Sequence, residues 1–396
     1  MNSAIHRFSA DFIFDGKYFV SDKALITDNN GKILDVIPFE DAGEDVRFLE
    51  GIICPGFINA HCHLELSHLK YKVPQHTGLI DFLMTVMQNR NENDQEEIAD
   101  FSQKADREMY GNGIVAVGDI SNNVSSIPIK KNSALFYHTF VEATGFLDFN
   151  APERFTYMRK IYQDFMDSGL NTSLVPHAPY SVSRSLFQMI NDFGETAIIS
   201  IHNQESEEEN KLYESGKSDF SRLYDNLGID ISRFRPAGRS SLKSWLPYFN
   251  RPHPLILVHN TFTDRDDIAF AKKSRQQIYW CLCPHANLYI ENRMPPVEVL
   301  SEEGVKIILG TDSLASNQRL SILEEIKTLQ KYFPGLGLEN MLSWATQHGA
   351  EALHCEEKYG SFEKGKTPGI LQLTPAGKNE SGEILLSETA EVKRIK

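Results

Sequence analysis

Ile52-Ile53-Cys54-Pro55-Gly56-Phe57-Ile58-Asn59-Ala60-His61-Cys62-His63 is the stretch that decides the fold, because an apolar run that predicts a buried strand ends there on two histidines. Histidines two residues apart on a strand point to the same face of it. At the mouth of a closed barrel of parallel strands, two such imidazoles converge on one point, which suits a metal ion. A His-x-His triplet alone is a weak indication, because on a half-exposed strand the same rings only face solvent. Further ligands must therefore come from the rest of the chain.

The sequence after this stretch alternates short apolar runs with amphipathic ones. The apolar runs predict eight strands, at residues 52–59, 114–119, 135–141, 173–177, 197–202, 255–259, 278–282 and 306–310. Stretches between them predict helices, among them residues 79–88, 96–110, 153–166, 184–193, 264–273 and 322–331. Strands that alternate with helices favour a parallel sheet, and eight is the number of strands that closes a (β/α)8 TIM barrel. The predicted fold class is therefore α/β.

Both ends of the chain have a different pattern, in which short β runs follow one another. Asp15-Gly16 and Asn30-Gly31 are hairpin signals between such runs in residues 8–48. The β pattern returns at residues 361–366, 370–373 and 391–395. We expect one β unit built from residues 1–54 and 361–396, packed beside a barrel of residues 55–360.

The composition is that of an ordinary globular protein. The chain has 396 residues, of which 41% are hydrophobic and 24% charged, so it can bury a large core. Its formal net charge of −14 opposes binding to nucleic acid and to anionic lipid. Residues 1–10 contain no apolar segment long enough for a signal peptide, and no later run reaches the length of a membrane span. We therefore expect a cytoplasmic protein that binds neither nucleic acid nor membranes.

The five cysteines are an odd and sparse set in a chain of this length. Such usage fits reduced thiols better than a disulfide framework. Cys281 and Cys283 are separated by one residue rather than two, and no second pair accompanies them. We predict that both are core residues and not zinc ligands.

Polar residues stand where the predicted strands end. In chain order these ends carry His61 and His63, Asp119, Glu142, His177, His202, His259, the 283–287 turn and Asp312. Each one has an ordinary structural explanation: a histidine can be a satisfied core residue, and an aspartate can cap the following helix. The strand ends of a parallel barrel form one rim, and their joint occurrence there predicts a metal site.

Three nitrogens and one carboxylate are available as ligands. His61, His63 and His202 would supply the nitrogens and Asp312 the carboxylate, with one position left for water, which describes a catalytic site rather than a structural one. Residues 171–179 contain no lysine that could bridge two metals. We predict one divalent ion, with zinc favoured and iron or manganese also compatible with these ligands.

A catalytic water needs a group that takes and delivers its proton. Glu205, three residues after His202, can face the site without binding the metal, although it could instead cap a helix. His259 would orient the water or stabilise developing charge, and Asp312 could accept a proton while it binds the metal.

These residues carry a resemblance to the amidohydrolase superfamily, in its branch of deaminases and chlorohydrolases. The motifs are Pro55-Gly56-Phe57-Ile58-Asn59-Ala60-His61-Cys62-His63, His202-Asn203-Gln204-Glu205-Ser206, Leu257-Val258-His259-Asn260, Cys283-Pro284-His285-Ala286-Asn287-Leu288 and Gly310-Thr311-Asp312-Ser313. The resemblance implies a distorted (β/α)8 barrel beside a small β-sandwich from both termini. It also implies one divalent metal on His61, His63, His202 and Asp312, with Glu205 as proton shuttle and His259 beside the water. A homodimer would be usual for such proteins.

Two segments are similar to the purine-nucleoside deaminases of this branch. Residues 176–183 resemble the segment that places a histidine, here His177, against the sugar, and residues 59–67 resemble the aminofutalosine deaminases. We expect the substrate to contact His177, Glu65, Asn287 and Ser313. Residues 70–77 depart from the adenosylhomocysteine type. His285 also departs from the branch, which either alters the pocket or is a harmless surface change.

Three functions follow for testing. The first is hydrolytic deamination of an aminated purine-like ring with release of ammonia, with aminofutalosine of menaquinone synthesis as the favoured substrate. The second keeps the metal chemistry and changes the bond, to ring opening of a cyclic amide or to dechlorination. The third is a catalytically silent binding protein. Such a protein would be expected to have lost metal ligands, whereas all four predicted ligands are present in this sequence.

Overall fold

Parallel strands alternate with helices through the middle of the chain in the computed structural model, which describes residues 5–195 and 197–396. The strands are β1 His6–Phe14, β2 Phe19–Val20, β3 Lys23–Thr27, β4 Ile33–Pro38, β5 Arg47–Pro55, β6 Phe57–Cys62, β7 Ile114–Ser121, β8 Phe136–Ala143, β9 Asn171–Pro176, β10 Ile199–Asn203, β11 Leu255–His259, β12 Ile278–Leu282, β13 Lys306–Leu309, β14 Ile370–Lys378 and β15 Ile384–Arg394. The helices are α1 Leu79–Asn89, α2 Gln95–Gly111, α3 Ile127–Asn132, α4 Ala151–Asp167, α5 Arg184–Asp192, α6 Glu207–Ser215, α7 Phe220–Asn226, α8 Ser241–Trp245, α9 Arg265–Lys272, α10 Pro284–Glu291, α11 Val297–Glu302, α12 Ile322–Tyr332, α13 Leu338–Ala345 and α14 Gln347–Ala352. Residues 1–4, part of the stretch for which no signal peptide is predicted, lie outside the described residues.

The eight strands from β6 to β13 form two parallel four-stranded sheets, β6-β7-β8-β9 and β10-β11-β12-β13. All five residues of β11 are buried, as expected for a parallel strand that is covered on both faces. The sheets approach each other at both edges. His202 N donates to His177 O at 2.9 Å on one side, and Thr311 N and Asp312 N donate to His61 O at 3.0 and 3.1 Å on the other. The arrangement is TIM-barrel-like, and these contacts bring together the carboxyl ends that carry the predicted ligands.

The prediction of one strand over residues 52–59 is wrong. Residues up to Pro55 belong to β5, which pairs with β1 and β14, and a new strand, β6, begins at Phe57. The break falls at Gly56, where an added Cβ would lie 2.3 Å from Val115 Cγ1 and 2.6 Å from Pro368 O. Only glycine permits so close an approach, so the chain can pass here from one sheet to the next.

The two chain ends share one sheet, as predicted. It has seven strands in the order β15-β14-β5-β1-β3-β4, with β2 paired to β1, and Ile370 of β14 lies opposite Pro55 of β5. Buried Phe8, Leu25 and Ile53 pack with Phe362 in a separate small core. The sandwich shape stays a prediction.

Two further expectations concern the cysteines and the membrane. All five cysteines are buried and unpaired, which agrees with the prediction of reduced core thiols. Among the helices of the described residues, none combines the length and the apolar character needed to cross a bilayer.

Candidate metal centre

The predicted histidine ligands meet at the carboxyl ends of the parallel strands. His61 lies in β6, His63 follows that strand directly, and His202 lies in β10. The Nε2 atom of His63 is 3.1 Å from Nε2 of His61 and 3.3 Å from Nε2 of His202. All three side chains are buried or nearly so. The contact between His63 and His202 brings together residues that are 139 positions apart in the sequence.

Asp312 completes this group from the turn after β13. Its Oδ1 atom lies 3.5 Å from His61 Nε2 and 3.3 Å from His63 Nε2. Its other oxygen, Oδ2, accepts a hydrogen bond from the buried Ser316 hydroxyl. The ligand atoms of His61, His63 and Asp312 lie within 4.8 Å of one another, as do those of His61, His202 and His259. The structure thus brings together all four predicted ligands and places His259 beside them.

The protonation of these rings fits a cation at their centre. His202 Nδ1 lies 2.8 Å from His177 O, so Nδ1 carries the ring hydrogen and Nε2 presents a lone pair. Burial lowers the pKa of His63 to about 3, so this ring is neutral near pH 7. A neutral ring has one N–H and can satisfy only one of the two short nitrogen contacts of His63. A divalent metal would accept lone pairs from all three rings, and this mixture of imidazole and carboxylate suits zinc, iron or manganese.

The Asp312 carboxylate supplies negative charge to this point. Burial by itself would raise its pKa, but the hydrogen bond from His61 and the electrostatic influence of the neighbouring His63 and His259 rings outweigh it and hold the pKa of Asp312 well below the usual range. Asp312 is therefore ionised at neutral pH, as a carboxylate ligand must be.

The backbone is strained where the strands end at this centre. Gln204, His259, Asn260 and Asp312 have positive φ angles of 46°, 74°, 56° and 57°. Such conformations cost non-glycine residues roughly 1–3 kcal/mol each and persist where surrounding contacts impose them. At Asp312 the preceding residue supplies these contacts, since Thr311 N donates to Asn59 Oδ1 at 3.0 Å.

Glu205 reaches the same centre from the loop between β10 and α6. Its Oε1 atom lies 3.5 Å from His259 Nε2. Burial, followed by the charges of Asp312 and Glu209, raises the pKa of Glu205 well above its ordinary value, so it can hold a proton at neutral pH. The helix cap considered for Glu205 falls instead on the next residue, Ser206, which is the N-cap of α6. The buried Glu209 carboxylate fixes the loop by accepting hydrogen bonds from Gln204 N and Glu205 N at 2.9 and 3.3 Å.

A cavity of about 450 Å³ opens onto this centre. His63, His177, His202, Glu205, His259 and Asp312 line its inner end. Apolar side chains that include Leu83, Met87, Phe146, Leu223 and Ile229 line the remainder, together with the side chains of Arg90 and Arg154. The volume is that of a small-molecule site, with polar groups at one end and a mainly apolar wall.

Of the four residues predicted to bind substrate, His177 lies on the cavity wall and three do not. His177 Nδ1 is 2.6 Å from Ser181 Oγ, and burial lowers the pKa of His177 to about 4. Glu65 is buried and does not line the cavity; its carboxylate accepts hydrogen bonds from Asn122 N and Asn123 Nδ2. Its pKa is raised by burial to about 7.

The other two residues predicted to bind substrate are also held by protein partners. Asn287 donates to Thr261 Oγ1, and Ser313 Oγ accepts a hydrogen bond from Ala315 N at 3.2 Å. Both side chains are buried, and neither lines the cavity. Direct contact of the substrate with these residues stays a prediction that the cavity wall does not favour.

Two residues singled out by the sequence have structural partners instead. The Asp119 carboxylate forms a buried ion pair with Lys130, with Nζ and Oδ2 2.7 Å apart, and accepts a hydrogen bond from Leu64 N. His285 lies outside the cavity, between the Glu325 carboxylate and the Thr328 hydroxyl. Its departure from the branch therefore leaves the cavity wall unchanged.

Several polar wall residues were absent from the predicted site, among them Glu142, Arg90 and Asn122. Glu142 is the residue before the last one of β8, and its place near a strand end was the available signal. Arg90, just after α1, and Asn122, just after β7, follow no motif in the sequence. Their place on the wall depends on the course of their loops.

Comparison with known proteins agrees with this geometry. The model of the Amidohydrolase family matches residues 52–385. The chain is 30% identical over 317 residues to an adenosine deaminase of Helicobacter pylori, covering 77% of this chain and 75% of the relative. It is 26% identical over 322 residues to an aminodeoxyfutalosine deaminase of Nitratiruptor sp., covering 77% and 75%. Its fold matches the crystal structure of Helicobacter pylori aminofutalosine deaminase in complex with methylthio-coformycin, with a TM-score of 0.78, 25% identity and coverage of 95% and 93%. The resemblance inferred from the motifs is thus confirmed, and the chain belongs to the amidohydrolase family.

Proposed function

We propose that this chain is a metal-dependent deaminase that replaces the exocyclic amino group of a purine-like nucleoside by oxygen and releases ammonia. The observation that carries the proposal is the convergence of His61, His63, His202 and Asp312 at the end of a cavity that also holds Glu205 and His259. Relatives named as adenosine, methylthioadenosine and aminodeoxyfutalosine deaminases support the reaction class. Aminofutalosine remains the favoured substrate.

The four ligands would hold one divalent metal, with zinc favoured. Such an ion would supply a Lewis acid that makes water nucleophilic near neutral pH. Asp312 Oδ1 takes a proton from the attacking water, and His259 Nε2 orients this water from the neighbouring strand end. Glu205 Oε1 delivers the proton of its own carboxyl group to the ring nitrogen beside the attacked carbon. The carbon–oxygen bond forms and leaves a hydroxyl and an amino group on the same carbon. Asp312 passes its proton to the amino group, the carbon–nitrogen bond breaks as ammonia leaves, and the hydroxyl proton returns to Glu205.

The proposal includes a domain division. We infer one closed, distorted (β/α)8 barrel over residues 55–360 and a β-sandwich from residues 1–54 and 361–396. The contacts of His202 with His177 and of Asp312 with His61 support closure, because they join the two parallel sheets at both edges. A homodimer and a cytoplasmic location stay predictions from the sequence.

Ammonia release from a panel of aminopurine nucleosides tests the proposed reaction. The panel consists of adenosine, methylthioadenosine, 5′-deoxyadenosine and aminofutalosine. We expect release from at least one compound, loss of this activity after chelation, and recovery on addition of Zn²⁺, Mn²⁺ or Fe²⁺. No release from any compound by the metal-loaded enzyme would refute the deaminase. Turnover of a cyclic amide or of a chlorinated heterocycle would then show that the enzyme carries out the alternative reaction, ring opening or dechlorination.

A further inference from the structure

Residues 310–317, after β13, form the ligand turn, which carries Asp312 and is held by side chains of its own carboxyl end. Asp312 has a positive φ of 57°, a conformation that persists only where other contacts impose it. The Ser316 hydroxyl donates to Asp312 Oδ2, the oxygen that does not face the histidine ligands. Asn317 Nδ2 donates to Thr311 O at 2.9 Å. The placement of the carboxylate ligand therefore depends on where Ser316 and Asn317 are held.

The Asn317 amide is held in turn by a buried carboxylate from α12. Asn317 Nδ2 also donates to Glu325 Oε1 at 2.9 Å, and Asn317 Oδ1 accepts from Arg319 N at 3.2 Å. Glu325 is fully buried. A carboxylate in such a place needs donors for both oxygens and a compensating charge, and one neutral amide does not supply them.

His285 supplies what Glu325 lacks. His285 N donates to Glu325 Oε2 at 2.9 Å, and the ring nitrogen Nδ1 lies 3.1 Å from Glu325 Oε1. The carboxylate is an acceptor, so Nδ1 carries a hydrogen. Nε2 lies 2.9 Å from Thr328 Oγ1, so the ring has a partner at both nitrogens. Burial disfavours the charged ring, but the charge of Glu325 outweighs burial and raises the pKa of His285 above its ordinary value.

This network is separate from the substrate cavity. His285, Glu325 and Asn317 do not line the cavity that opens onto the metal centre. Without the Nδ1 donor, the buried Glu325 carboxylate would have to turn or admit water, because an unsatisfied charged group is costly there. Either change would loosen the Asn317 amide. An effect of His285 on the metal centre must therefore pass through the ligand turn.

We propose that His285 is a positioning residue for the metal centre: through Glu325 and Asn317, its ring holds the ligand turn so that Asp312 Oδ1 stays directed at the three histidine ligands. This inference rests on the proposed function, because it assumes that Asp312 binds the metal.

The test measures the affinity of the protein for Zn²⁺ by competition with a chromophoric chelator, so it needs no turnover. His285→Leu removes the ring donor, whereas His285→Asn, a side chain of similar size, can return a donor at the δ position. We expect His285→Leu to raise the dissociation constant for Zn²⁺ about 10-fold, the lower end of the range for residues that orient metal ligands. His285→Asn should recover most of this loss. The absorption bands of the Co²⁺-loaded protein should shift in His285→Leu and return toward the wild type in His285→Asn.

His348→Leu is the matched control. His348 is also a partly buried histidine, and its Nδ1 atom lies 3.0 Å from Ile307 O, so the variant loses a similar ring contact outside this network. It should bind Zn²⁺ within twofold of the wild type. A purely structural role for His285 would lower the free energy of unfolding in both leucine substitutions and leave both Zn²⁺ affinities unchanged.

Three results would overturn the assignment. They are a Zn²⁺ affinity of His285→Leu within twofold of the wild type, no recovery in His285→Asn, and an equal loss in His348→Leu. A wild type that binds Zn²⁺ but deaminates no compound of the panel refutes the proposed reaction alone, and the affinities still decide the role of His285. A wild type that binds no Zn²⁺ overturns both proposals.

Discussion

Glu205→Gln separates the proposed proton shuttle from the metal ligands. The carboxyl group is buried, its Oε1 atom lies 3.5 Å from His259 Nε2, and it makes none of the short contacts of the four predicted ligands. Glutamine has nearly the same shape, and the backbone N–H of residue 205 keeps its bond to Glu209. We therefore expect the variant to fold and to bind metal as the wild type does.

The expected loss of activity follows from the lost proton transfer. An amide cannot deliver a proton as a carboxylic acid does, and general acid–base catalysis contributes about 10²- to 10⁴-fold. This corresponds to about 3–5 kcal/mol of transition-state stabilisation. The assay couples released ammonia to glutamate dehydrogenase, and metal content is measured by mass spectrometry. Activity within tenfold of the wild type at equal metal content would show that Glu205 is not the shuttle.

Three further substitutions test the supports of the site. Lys130→Met should lower the free energy of unfolding by about 3–5 kcal/mol in urea titrations, because it leaves Asp119 buried and unpaired. His138→Asn should reduce acid sensitivity. Burial lowers the pKa of His138 to about 3, so the unfolded state binds more protons below about pH 6.5 and the native state loses about 1.4 kcal/mol per pH unit there, a loss that asparagine cannot show. Gly310→Ala should cost about 1–3 kcal/mol and weaken metal binding in competition titrations, because the added Cβ would lie 2.8 Å from His61 Cβ.

Each of these substitutions has a control. Adding Asp119→Asn to Lys130→Met removes the uncompensated charge and keeps an acceptor for Leu64 N, so the double variant should recover part of the loss. His76→Asn, at an exposed histidine, should leave the pH dependence of unfolding unchanged. Gly335→Ala, where a Cβ meets nothing within 4 Å, should leave metal affinity unchanged. If a substitution and its control gave the same result, the physical reason given for that substitution would be wrong.

The metal ligands could be predicted because they follow apolar runs directly. In a parallel sheet the carboxyl ends of the strands lie at one edge. His202 and Asp312 could therefore be placed together without knowing the conformation of the loops. The β character of both chain ends was also recognisable, since turn signals punctuate short strands there. The break at Gly56 within the strand predicted over residues 52–59 could not be predicted, because its cause lies outside that segment. Val115 and Pro368 approach Gly56 so closely that no side chain fits there.

Residues on loops were harder to place, because no periodicity fixes the direction of a loop side chain. Glu65 and Ser313 stand in motifs beside the ligands, yet the 3-10 turn at Leu64–Leu69 and the turn after Asp312 direct their side chains to protein partners. Glu142 stood at a strand end in the sequence. Only the structure reveals that Asn122 occupies one of its oxygens and leaves the other unpartnered.

The hydrogen bonds from Thr311 N and Asp312 N to His61 O have a consequence for how the enzyme is made. About 250 residues separate His61 from Asp312, and a ribosome adds roughly 5–20 residues per second. A growing chain therefore carries two unsupported histidines for roughly 10–50 s before their carboxylate partner exists. A product truncated before Asp312 would lack both the metal ligand and the contact that joins the first parallel strand to the last. Activity therefore depends on translation that continues past Asp312.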